Sequence, residues 1–258
     1  MARVRIVAPE STGPIDTLRP EAGRMRSRIY FNQPSDPLHL TVHHLGANVA
    51  WRLENAASDL LAYVWAGAVI ARGMQLGERS SLIVERCGSI DINALERGAS
   101  ILVFSPREQP PRQRSGSYVH LLPRERVPRS RDLMSQGTVG GALHADASSA
   151  CCQLWLHEND FYVAGTPVPT HSHSEEEIIF VREGELCVGH RRYGAGAALA
   201  IAANVKYGFQ VGAAGLSFVN FRAAAPTYTA ADGATTFDEA QFWRSQTGLP
   251  EHVNLQSL

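Results

Sequence analysis

Three things are missing from this 258-residue chain, and each closes off a class of function. It has no excess of charge of either sign. The formal net charge is −1 with 19% charged residues, so neither nucleic acid nor an acidic membrane is expected as a partner. It has no apolar run long enough to span a bilayer, and Met1-Ala-Arg-Val-Arg-Ile-Val lacks the apolar core and cleavage pattern of a signal peptide. It also has no cysteine framework: Cys87, Cys151, Cys152 and Cys187 form no CxxC pair, which reads as reduced thiols in a cytoplasm. Hydrophobic residues make up 44%, enough for one or two substantial cores.

What is present is concentrated at His171-Ser172-His173 with Glu177. Two His separated by one residue share a face of a β-strand, because side chains alternate with a period of two. Glu177 keeps that parity if the strand continues, and a short turn would still return it to the same place. Two imidazoles and one carboxylate suit Fe(II), Mn, Ni, Zn or Cu and leave coordination positions open. Read from Gly165 to Gly184, the spacing of His171, His173 and Glu177 resembles the first motif of the cupin superfamily without a mismatch. The second motif would run Gly196, Ala202, Asn204, Tyr207, with Ala202 in place of its proline and Tyr207 in place of its metal-binding His. The resemblance implies an all-β chain of double-stranded β-helix (jelly-roll) barrels, with His171, His173, Glu177 and Tyr207 as the ligand set.

A weak internal repeat doubles that expectation. Leu60–Gly67 mirrors Glu177–Gly184, both apolar strands ending in Gly, and Ser81–Glu85 and Ile101–Phe104 have counterparts at Ala198–Ile201 and Leu216–Phe221. Short strands with Gly-rich turns favour jelly rolls over helices. The expected organisation is a first cupin-like barrel over 1–105, a linker over 106–141 and a second barrel over 142–258 ending in a short helix. The linker is rich in Pro and Arg without an aromatic platform and reads as solvated. In the repeat register Glu54, Ala56 and Leu60 replace His171, His173 and Glu177, with Gly88 near the Tyr207 position, so the first barrel is expected to hold no metal. Its adjacent His43 and His44 point to opposite faces. The helix is expected within Thr235–Gln246, with a Thr as its N-cap.

At the proposed site, Tyr207 has three open roles: phenolate ligand, acid/base beside the ion, or packing. His157 is a candidate for moving a proton in the physiological range. Phe209, Cys187 and Trp155 read as barrel packing, and Arg182 as a solvated strand-end arginine. The cofactor expected is one divalent transition metal per chain, Fe(II) first, with Ni, Mn, Zn or Cu as alternatives. Cupin-like folds host many chemistries, so the reaction is not fixed by resemblance. No helix-turn-helix-like segment points to a regulator and no Ser-, Gln- or Glu-rich insertion to a storage protein. The expectation is an oxygenase acting on a small organic acid, phenol or diketone. The alternatives are a non-redox lyase, isomerase or decarboxylase using Tyr207, or a non-catalytic binding or scaffold protein. A homodimer is expected from the exposed edges of such sheets.

Overall fold

The Gly-ended apolar runs do form strands in the computed structural model, which describes residues 4–13, 15–19, 23–109, 117–134, 137–147 and 153–257. The chain divides into two compact units. One comprises Met1–Ser11 with Pro128–Pro250, the other Thr12–Val127 with Glu251–Leu258. Each is built on one antiparallel sheet that turns back on itself, giving two jelly-roll barrels. Among the described residues there is one α-helix, Glu239–Thr247.

Both chain ends differ from the expected division. Val4–Val7 pairs with Ala198–Ile201 of the second barrel, and Val253–Gln256 pairs with Tyr118–Leu122 of the first. Tyr118–Leu122 lies inside the segment expected as a linker, yet it also pairs with Ser81–Val84, and four of its five residues are buried. The flanking Pro and Arg residues concealed a five-residue apolar strand. Pro110 and Pro111, which anchored the linker reading, lie outside the described residues, as do Cys151 and Cys152.

The internal repeat is much stronger in structure than in sequence. A constant offset of 117 residues relates strand starts Ala50 and Pro167, Leu60 and Glu177, Met74 and Arg191, and Ser81 and Ala198. The strand register follows the same offset: Leu61 faces Phe104 as Ile178 faces Phe221, and Val69 faces Ala94 as Leu186 faces Val211. Glu54, Ala56 and Leu60 therefore do stand where the second barrel has His171, His173 and Glu177. The counterpart of Tyr207 is Ile90 rather than Gly88. Asn220 and Arg222 correspond to Val103 and Ser105. Leu60 and Ile90 are buried in a continuous apolar cluster with Leu53, Val84 and Ile92, so the first barrel fills with hydrocarbon the position where the second places polar groups.

Two glycines explain how each barrel closes. Gly67 and Gly184 occupy the same place in the repeat, both with positive φ (74° and 75°), and a Cβ on either would collide with the carbonyl oxygen of Gly98 or Gly215. Gly184→Ala is expected to destabilise the second barrel by more than about 1 kcal/mol, the benefit that Ala gives at tolerant sites being reversed. Thermal unfolding read against the parent checks this.

The His43-His44 pair is accounted for by packing. His43 shares a hydrogen bond with Ser27 Oγ (2.9 Å) and lies against Trp51, and His44 bonds Ser100 Oγ (2.9 Å). Burial, aided by His44, pushes His43 down to about 4. Because its folded value lies below the ordinary 6.5, the unfolded chain takes up the proton first. The first barrel should thus hold its full stability above about pH 6.5 and lose on the order of 2–3 kcal/mol as pH falls to about 4. Urea midpoints at pH 7 and pH 4.5, compared with those of His43→Gln, test the assignment: the variant should show the smaller drop.

Candidate functional site

The strand Pro167–His173 is exposed at its start and buried at its last three residues, so it delivers His171 and His173 to the barrel interior on one face. Their rings meet edge to face at 5.0 Å. Residues 174–176 turn the chain, with Ser174 N–H donating to the Thr227 carbonyl (3.0 Å), and Glu177 opens the next strand fully buried. His171 lies across the ladder from Tyr207, with ring centroids 4.5 Å apart. The expected cluster of His171, His173, Glu177 and Tyr207 is thus brought together.

The structure adds three residues. Arg222, at the far end of the strand that begins with Tyr207, is fully buried and donates through Nη2 to Glu177 Oε2 at 2.7 Å. Asn220 Nδ2 donates to the same oxygen at 2.7 Å. The second guanidinium nitrogen, Nη1, reaches Glu239 Oε1 at 3.4 Å, and Glu239 Oε2 lies 2.9 Å from His173 Nδ1. Glu239 is the first residue of the helix. The cap is Asp238 rather than a threonine, its carboxylate accepting from Gln241 N–H at 3.0 Å.

Burial alone would push both carboxyls up, yet both sit low. For Glu177 that penalty is outweighed first by Arg222, then by His173 and by hydrogen bonds from Tyr207 and Asn220. For Glu239 it is outweighed by Arg222 and then by contact with His173, leaving the group well below the usual carboxylate range. Tyr207 moves the other way: burial, then the neighbouring Glu177 charge, drives its phenol well above 10. It is held as a neutral donor toward Glu177. His157 is pushed well below 6.5 by burial. Trp155 Nε1 donates to His157 Nδ1 at 2.7 Å, and Trp243 of the helix packs on the ring at 4.3 Å, so the neutral ring carries its proton on Nε2.

A cavity of about 350 Å³ opens over this cluster. His157, His171, His173, Tyr207, Asn220, Arg222 and Glu239 border it, as do the aromatic residues Phe209, Phe218, Tyr228, Phe237, Phe242 and Trp243. That volume is within the range of small-molecule sites. Trp155 does not border the cavity, and Cys187 is directed to Glu185 instead. Arg182 is not solvated as expected: it is buried and donates to Asp160 at 3.0 Å.

Whether these residues suit a metal ion can be judged atom by atom. Among the described residues, no three His, Cys, Asp or Glu side chains are drawn close enough to hold one ion. Their free valences nevertheless match one. His171 Nδ1 donates to the Pro169 carbonyl at 2.7 Å, which leaves Nε2 as an acceptor, and burial keeps this ring below its ordinary pKa. His173 faces Glu239 through Nδ1, so Nε2 is its other nitrogen. Glu177 has one oxygen held by Arg222 and Asn220, while Oε1 is buried without a hydrogen-bond partner. A carbonyl or carboxylate on the far nitrogen of each imidazole, and hydrogen bonds to the far oxygen of a one-oxygen carboxylate, are the supports that metal ligands ordinarily have.

Arg222, Asn220 and Glu239 were missed in the sequence, although one signal was available. In Phe218-Val-Asn-Phe-Arg222, the two polar residues alternate within an apolar strand, which places both on one face. Glu239 gave no signal, since an acidic residue in the first turn of a helix is ordinary.

No protein-family model matches the chain, and no curated protein matches it. Solved structures do. A single-site variant of the oxalate decarboxylase OxdC from Bacillus subtilis aligns with a TM-score of 0.66 at 13% identity, covering 88% of this chain and 79% of that one. A candidate dioxygenase from Nostoc punctiforme aligns at 0.67 and 12% identity, covering 92% and 87%. The protein Ylba from E. coli aligns at 0.64 and 14%, covering 85% and 90%. At such identities the likeness is one of fold. The chain shares their fold, with two jelly-roll barrels. No helix among the described residues is long and apolar enough to cross a membrane.

Proposed function

We propose that this chain is a metal-dependent enzyme acting on a small organic molecule, with one divalent ion held in the second barrel by His171, His173 and Glu177. The observation that carries the reading is the matching state of the three donors. His171 Nδ1 is held by the Pro169 carbonyl and Glu177 Oε2 by Arg222 and Asn220, His173 Nδ1 lies in ion-pair contact with Glu239 at 2.9 Å, and Glu177 Oε1 is buried without a hydrogen-bond partner. Tyr207, a neutral phenol committed to Glu177, is left out of the ligand set. Two His and one carboxylate with open positions are the donor set of non-haem Fe(II) oxygenases, where the ion brings substrate and O₂ together. Oxygenase is accordingly the first reading, and the alignment with a candidate dioxygenase supports it.

The protein's own groups have separable tasks. The aromatic residues around the cavity exclude water and accept a flat or apolar substrate. The neutral His157 offers an Nε2–H donor at the wall. Arg222 and Asn220 fix the orientation of Glu177. A non-redox lyase or decarboxylase is the second reading. It is favoured by the protonated Tyr207 hydroxyl beside Glu177, a placed proton donor, and by the alignment with oxalate decarboxylases. The two separate in one assay. Metal-free protein reconstituted with Fe(II) under argon is offered organic acids, phenols and diketones, with and without O₂. Substrate-dependent O₂ uptake is expected; turnover at an undiminished rate without O₂ would replace oxygenase by lyase. In that assay Tyr207→Phe should retain the metal, and only the lyase reading expects it to lose turnover.

A further inference from the structure

Resting on the metal reading above, we infer that Glu239 of the C-terminal helix is a positioning residue for the ligand set, controlling two of its three members at once. Its Oε2 makes an ion-pair contact with His173 Nδ1 at 2.9 Å, and as neither buried atom has a hydrogen-bond partner elsewhere, this contact sets which nitrogen of that ring faces the cavity. Its Oε1 is 3.4 Å from Arg222 Nη1, and the other arm of the same guanidinium holds Glu177 Oε2 at 2.7 Å. Trp243, one helical turn on, donates from Nε1 to the same Glu239 oxygen at 3.4 Å and covers His157 with its ring. The carboxylate is thus braced from its own helix on one side and faces His173 on the other. It is buried, at a depth where a carboxylate is costly unless paired, and Arg222 and His173 are its ion-pair partners.

The helix itself is placed by the same residue. Glu239 N–H donates to the Pro226 carbonyl at 3.1 Å, Asp238 caps the first turn, and Ala240 and Trp243 are buried with Leu133, Leu143 and Trp155. Movement of the helix would therefore carry Glu239 away from both His173 and Arg222. The helix belongs to the site rather than merely covering it.

The test is Co(II) titration of metal-free full-length protein, read by the visible ligand-field bands. Glu239→Ala should weaken Co(II) binding by about 10–100-fold, the range for loss of a group that supports a ligand. Glu239→Gln, whose carbonyl can still accept from His173, should recover most of it. Gly184→Ala, in the strand Glu177–Val188 and away from the helix, serves as the control for simple destabilisation of the barrel, and should lower the melting temperature while leaving Co(II) affinity unchanged. In the metal-free parent, two-bond ¹H–¹⁵N spectra should show His173 as the Nδ1–H form, and Glu239→Ala should mix the tautomers. Parental affinity in Glu239→Ala, or equal weakening in Gly184→Ala, would overturn the assignment while leaving the metal reading in place. A parent that binds no Co(II) would end the metal reading and this role together, and a fixed His173 tautomer would then mark a structural pair.

Discussion

Replacement of Arg222 by methionine is expected to lower the stability of the second barrel by about 3–5 kcal/mol, the cost of breaking a buried ion pair from one side. The side chain is fully buried and is the cation between two buried carboxylates, Glu177 and Glu239. Methionine fills much of the volume, so the loss is chiefly electrostatic. The deficit should depend on pH with a definite sign. In the parent both carboxyls sit below their ordinary value, so their stabilising contribution is present above about 4.5 and is lost as pH falls through their depressed folded values. Without Arg222 that depression disappears and the carboxyls can protonate instead. The gap between variant and parent should therefore narrow toward pH 4. Urea denaturation followed by Trp fluorescence at pH 7 and pH 4.5 measures it, and a loss below about 1 kcal/mol at pH 7 would show that the cluster is not bound together as the distances imply.

His171→Ala and His173→Ala should each reduce affinity for a divalent transition metal by more than about 100-fold, beyond the range for supporting groups. The far-ultraviolet sheet signal should survive, since the barrel is closed by ladders and glycines elsewhere. The two variants should differ in stability. His173→Ala removes the ion-pair partner of Glu239 Oε2 and leaves that buried carboxylate held only through Oε1 by Arg222 and Trp243, whereas His171→Ala gives up a bond to a backbone carbonyl and ring contacts with Tyr207 and Tyr228. The larger melting shift belongs to His173. Equal metal affinity in either variant and the parent would remove that residue from the ligand set.

The fold was legible because its signals are local. Positive-φ glycines at Gly67 and Gly184 close apolar runs at the same point of two long strands, Leu60–Ala71 and Glu177–Val188, and the 117-residue offset preserves the spacing of every strand start between Ala50 and Ser81. Replacement of Glu177 by Leu60 was likewise visible as a loss of chemistry. Two kinds of feature were not. Tyr118–Leu122 is a short strand embedded among Pro and Arg, whose meaning depends on partners at Ser81–Val84 and Val253–Gln256 far along the chain. The second is the set of groups that support the ligands. His173 and Glu239 meet only after the chain has completed the barrel and a helix has folded back, a separation no spacing rule covers. Asn220 and Arg222 carried a readable alternation, but an arginine in an apolar strand looks anomalous until its two carboxylates are in place.

Elemental analysis of protein purified without chelators or an affinity metal tests the central claim most directly, with His171→Ala beside it. About one equivalent of a divalent transition metal per chain, Fe for the oxygenase reading, should be present in the parent and absent from the variant. Two equivalents would contradict the apolar first barrel. No metal in the parent, even after anaerobic reconstitution, would contradict the assignment of His171, His173 and Glu177 as ligands.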